Sequence, residues 1–95
     1  MLIRSQDKRK LLELNNITIE VNKYVIYGEN KHSAYYNVEC PRGVLGKYTT
    51  EEKALKVLDM IEEEYNAPIY INKNRYQYEK YEHPVFHMPE DTEVE

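Results

Sequence analysis

The period of the hydrophobic pattern changes once along this chain, near residue 49. Before that point apolar positions recur every second residue. "ITIEV" sets Ile17, Ile19 and Val21 on one side and Thr18 and Glu20 on the other, the pattern of a half-buried strand. "KYVIY" (23–27) is β-branched and aromatic and reads as strand again. "AYYNVEC" (34–40) alternates, with Ala34, Tyr36, Val38 and Cys40 together and Tyr35, Asn37 and Glu39 opposite. "VLGKY" (44–48) returns as a short strand. "GENKHS" (28–33) and "PRG" (41–43) are the connections, the second a turn that proline and glycine favour. Further upstream, "LIRS" and "LLEL" (11–14) form a hairpin around the polar "QDKRK". Short turns between successive strands predict an antiparallel meander of four to five strands.

From residue 49 the period becomes 3.6. In "YTTEEKALKVLDMIEEEY" (48–65), Ala54, Val57, Leu58, Ile61 and Tyr65 fall on one face of a helix. Thr49 is the predicted N-cap, with Glu52 three residues on completing a capping box. Glu51 and Glu52 suit the first turn, where the helix dipole favours negative charge. Asn66 and Pro68 mark the end. Leu55 lies at the stripe's edge. Met60 lies off it, exposed and available to a partner. An isolated helix of this length is marginal in water, so its apolar stripe must cover something; the face of the meander is the expected surface.

Residues 68–95 are different in kind. "PIYINKNRYQYEKYEH" (68–83) carries Tyr70, Tyr76, Tyr78 and Tyr81 among polar residues and reads as a hairpin or extended arm turning near "NKN". "HPVFHMPEDTEVE" has two prolines, a small cluster of Val85, Phe86 and Met88, and an acidic end. Too short to fold alone, it is expected either to dock as an extended segment or to remain loose. The predicted architecture is one α+β domain: residues 1–67 form the sheet and helix, and 68–95 are the arm and acidic tail of the same domain. A curled sheet closed by the helix would resemble a pleckstrin-homology barrel; a flat open sheet is the alternative.

Composition sharpens this picture. The 95 residues suffice for one core without staples, and 41% hydrophobic content is globular, whereas 32% charge and a mean hydropathy of -0.82 predict a substantial loop or tail fraction. One cysteine excludes an internal disulfide framework and suits a reducing cytoplasm. No apolar run approaches the roughly 18 residues of a membrane span. The N-terminal "MLIRSQDKRK" reverses the order of a signal peptide, so the expected location is cytoplasmic. The net charge of -4 divides into a mildly basic start, an acidic helix and an acidic end.

Three stretches, "MLIRSQD", "LGKYTTEEKALKVLDMIEEEY" and "VFHMPEDTEVE", together resemble a family of small proteins of Gram-positive bacteria and their phages or prophages. The resemblance spans about half of the chain. It implies a bacterial cytoplasmic or phage setting. The family has no assigned activity, so it supplies no functional residues.

The chemistry-bearing residues each have a plainer reading. His83 and His87 are four apart with Glu90 and Asp91 following, but Pro84 keeps His83 out of a helix, so no metal site is expected. Cys40 with His32 as base lacks a glycine elbow or oxyanion-hole pattern; Cys40 reads as a small apolar residue ending a strand. Glu62, Glu63 and Glu64 read as a solvated helix face. Three glycines without a phosphate-loop spacing argue against nucleotide binding, and no cofactor is expected. The ten tyrosines are the sharpest signal. Tyr70, Tyr76, Tyr78, Tyr81 and Phe86 are the candidate contact surface for a protein partner or for self-association. Weak single-stranded nucleic-acid binding through the same arm, with Lys73, Arg75 and Lys80, is the alternative. The acidic balance opposes it, because neutralising phosphates supplies most such affinity. The chain therefore reads as a non-enzymatic interaction module.

Overall fold

The computed structural model describes residues 1–66 and 85–95. Among the described residues the fold is α+β: one helix packed with two three-stranded sheets, without a closed barrel. In chain order the elements are β1 (Leu2–Arg4), β2 (Leu11–Glu13), β3 (Glu20–Tyr27), β4 (His32–Cys40), β5 (Gly43–Tyr48), α1 (Glu51–Asn66), β6 (Val85–His87) and a 3-10 turn, Asp91–Glu93.

The antiparallel meander is β3-β4-β5, and the N-terminal hairpin belongs to another sheet, ordered β2-β1-β6. The predicted run of four to five strands is thus divided after β2. The two short predicted strands around residue 22 are one continuous β3, because Glu20 through Tyr27 pair without interruption with Glu39 back through His32. Residues 17–19 lie before the strand, yet Ile17 and Ile19 are half-buried and Thr18 exposed, as the alternation requires.

Side-chain alternation gives the meander two faces. Val38, Cys40 and Tyr48 point into the core with Ala54, Val57 and Ile61 of the helix, and Val21 and Tyr36 pack at its margin. Between β4 and β5 the register slips at Val38/Glu39: Gly46 faces Val38 and Val44 faces Glu39, leaving Leu45 unpaired between them. This bulge frees Leu45 to enter the core, where it is 1% exposed. The tight Pro41–Arg42 turn before β5 ends on Gly43 at φ 137°, a conformation open to glycine.

The helix covers the meander as the stripe predicts, with two corrections. Ala54, Val57 and Ile61 are buried and Leu58 is half-buried, but Tyr65 is 68% exposed because it lines the wall of an open groove past the sheet. The cap is Thr50: its Oγ1 accepts the Lys53 N–H at 3.1 Å. Lys53 at the third helical position has no carboxylate to complete a capping box. Thr49 is otherwise engaged, since both its N–H and its hydroxyl donate to Asp91, at 2.7 and 3.0 Å.

The acidic tail docks. β6 pairs in parallel with β1, Leu2 opposite Val85 and Arg4 opposite His87. Phe86, Met88 and Val94 are buried in the shared core. Asp91 then ties the tail to the helix start through Thr49 and through Lys53, whose Nζ lies 3.2 Å from Oδ2. This partly buried pair joins the helix to the tail, and neither partner belongs to the basic N-terminal stretch.

Candidate interaction surface

The two long edges of the meander are built differently. Along β5, Gln6 acts as a short substitute strand. Its backbone N–H donates to the Leu45 carbonyl at 2.7 Å. Its side-chain amide accepts the Lys47 N–H at 2.9 Å and donates to the Lys47 carbonyl at 3.1 Å. The same Nε2 also donates to the Pro89 carbonyl at 3.1 Å, so one residue joins both sheets and the tail. The loop carrying Gln6 is held by Ser5 and Asp7. Ser5 Oγ donates to Asp7 Oδ1 at 2.7 Å, which holds the Asp7 carboxyl below its ordinary range, and Lys8 takes the left-handed conformation at φ 67°.

Along β3 no strand pairs with the outer edge among the described residues. The edge is eight residues long, about 26 Å at ~3.3 Å per residue. It has no proline and no bulge, and its only charges are Glu20 and Lys23. Natural sheets usually block such an edge, because its free N–H and C=O groups template further pairing. The distal half of the β3–β4 hairpin extends past the helix-covered area. Tyr24, Val25, Ile26 and Tyr27 are all exposed there, from 38% to 75%. Apolar side chains on both faces of this two-stranded ribbon join no core among the described residues.

Polar and aromatic residues on the meander's outer face hold this hairpin straight. Glu39 Oε1 accepts from Asn22 Nδ2 at 2.6 Å and from the Tyr24 hydroxyl at 2.7 Å, and Oε2 accepts from Asn37 Nδ2 at 3.2 Å. The Tyr24 hydroxyl is the main reason the Glu39 carboxyl sits below its ordinary range, and the same bond raises Tyr24. Tyr24 and Tyr35 stack with centroids 5.4 Å apart, and Lys47 Nζ lies 4.3 Å from the Tyr35 centroid. The ring faces between Lys47, Tyr35 and Tyr24 are therefore already occupied. That argues for a structural ladder rather than a platform on which bases stack. Asn37 is buried, and its Oδ1 has no hydrogen-bond partner.

The groove beside Tyr65, of about 570 Å³, opens between the helix and the segment before β3. Leu14, Ile17, Ile19, Leu58 and Ile61 contribute its apolar wall, with Asp59 and Glu62 at the rim. Both carboxylates come from α1, and Met1, Asn16, Thr18 and Tyr65 complete the lining.

Of the residues singled out in the sequence, Phe86 is a correction: at 9% exposure it is core, because β6 turns it inward against Ile3, which it faces in the pairing. Tyr70, Tyr76, Tyr78, Tyr81, Lys73, Arg75 and Lys80 lie outside the described residues, as does His83. His87 is exposed in β6. Cys40 is buried at one end of β4 and His32 exposed at the other, so the strand separates that pair by about 26 Å. Glu62, Glu63 and Glu64 are exposed, and Met60 is exposed at 37%. No cluster of His, Cys, Asp or Glu suited to a metal occurs among the described residues, and no described helix is long and apolar enough to cross a membrane. The β3 edge escaped the sequence reading because edge and central strands share one period; its signal was "YVIY", four apolar residues in succession where alternation would place polar ones. Comparison with known protein families, curated proteins and solved structures finds no match.

Proposed function

We propose that this chain is a non-enzymatic protein-interaction module that captures an extended segment of a protein along the outer edge of β3. The setting we propose is the bacterial or phage one that the resemblance of its two ends and its helix implies. One observation carries the reading: β3 is an eight-residue edge without proline or bulge, apolar from Tyr24 to Tyr27, that pairs with no outer strand among the described residues, while the opposite edge of the same sheet is closed by Gln6. Adding a strand satisfies the free backbone groups of the edge and covers Tyr24, Val25, Ile26 and Tyr27, with main-chain bonds giving affinity and alternate side chains giving selectivity.

The test is selection of binders from a displayed library of extended peptides, against the protein immobilised at low density. Peptides with alternating β-branched and aromatic residues should be enriched and should bind Ile26→Lys at least about tenfold more weakly, a difference of ~1.4 kcal/mol. Failure to enrich any peptide, or equal binding to Ile26→Lys, would overturn the reading.

A further inference from the structure

Resting on that reading, we infer that the segment captured by β3 is β3 of a second copy, paired antiparallel about a two-fold axis near Tyr24. A two-fold axis perpendicular to a sheet keeps each side chain on its own face, so paired positions must have an even sum. Centring on Lys23 would oppose two ammonium groups. Centring on Tyr24 pairs Val21 with the partner's Tyr27, Asn22 with the partner's Ile26 and Lys23 with the partner's Val25. No like charges then face each other. A parallel in-register pairing would instead oppose Glu20 to Glu20 and Lys23 to Lys23.

The shape of one copy also suits a second. The helix covers the inner face near Val21 and leaves Val25 and Tyr27 of that face exposed. Antiparallel pairing sets the bare end of each hairpin beside the helix-covered end of the other. Apolar positions without a core in one copy thereby gain neighbours in the next. The assembly also closes. Each chain has one open meander edge among its described residues, since Gln6 occupies the other, so pairing two β3 strands gives a six-stranded sheet and stops at a dimer.

The test uses Val25, which this register sets opposite Lys23 twice in the dimer. Sedimentation of the full chain over a dilution series should show a monomer–dimer equilibrium. Val25→Lys should weaken the dimer at least about tenfold by opposing like charges, whereas Val25→Glu should hold it at or below the wild-type dissociation constant. Both substitutions are on an exposed side chain, and circular dichroism checks that both fold. Equal weakening by the two charges would overturn the register. A monomer at every concentration would overturn self-pairing: with library peptides still bound, strand capture stands, and with none bound, both proposals fall. Higher oligomers would overturn the closed two-fold arrangement.

Discussion

The β5 and β3 edges border one sheet, yet among the described residues one is finished and the other is open. At β5 a single glutamine supplies three hydrogen bonds where a strand would supply a ladder, and its amide geometry matches the N–H and C=O of Lys47. At β3 the same backbone groups meet no strand among the described residues, and the side chains from Tyr24 to Tyr27 are exposed and apolar. An edge can therefore be closed without a strand, by one side chain held in place by a well-ordered loop. Leaving the second edge open is the feature that makes association the natural reading.

The contrast can be attacked first through stability. Met88→Ala, beneath the closed side, removes a side chain that is 2% exposed and should cost about 2–4 kcal/mol in urea unfolding. Ile26→Ala on the open side should change monomer stability by no more than about 0.5 kcal/mol, because it is half exposed. Equal costs would mean the open hairpin is packed on something. Next in size, Gln6→Ala should destabilise by about 1–2 kcal/mol, and it should also convert the proposed dimer to longer assemblies by opening a second edge, as light scattering would register. If it only destabilises, Gln6 is a fastener and not an edge block.

The smallest effect concerns the tail clasp. Asp91 is held below its ordinary value of 3.8 chiefly by the Thr49 backbone N–H, then by the Thr49 hydroxyl and Lys53. A depressed carboxylate stabilises the fold fully above that ordinary value. Its contribution is lost as pH falls from there through the lower folded value. Unfolding midpoints should therefore drop below about pH 4 more steeply in the wild type than in Asp91→Asn. Parallel pH profiles would remove Asp91 from the clasp.

Local periodicity made the helix and the meander's inner face legible. Ala54, Val57 and Ile61 are buried as the stripe requires, and Val38 and Cys40 share a face as their spacing requires. Terms set by distant chain were not legible. The cap moved from Thr49 to Thr50 because Asp91, 42 residues away, takes the Thr49 donors. Phe86 moved from surface to core because β1 accepts β6 as a parallel partner, a pairing that three-residue strands do not announce. Gln6 was invisible as an edge block because an amide in a polar turn has no period.

The parallel pairing of β1 with β6 bears on how this fold is made. β1 sits between β2 and β6, and the Gln6–Pro89 bond spans 83 residues of chain. During synthesis the β6-facing side of β1 stays unpaired until residues 85–87 have left the ribosome. High sequence separation of this kind slows folding. Until β6 is available, the nascent chain carries on β1 an unmatched border that the finished fold conceals.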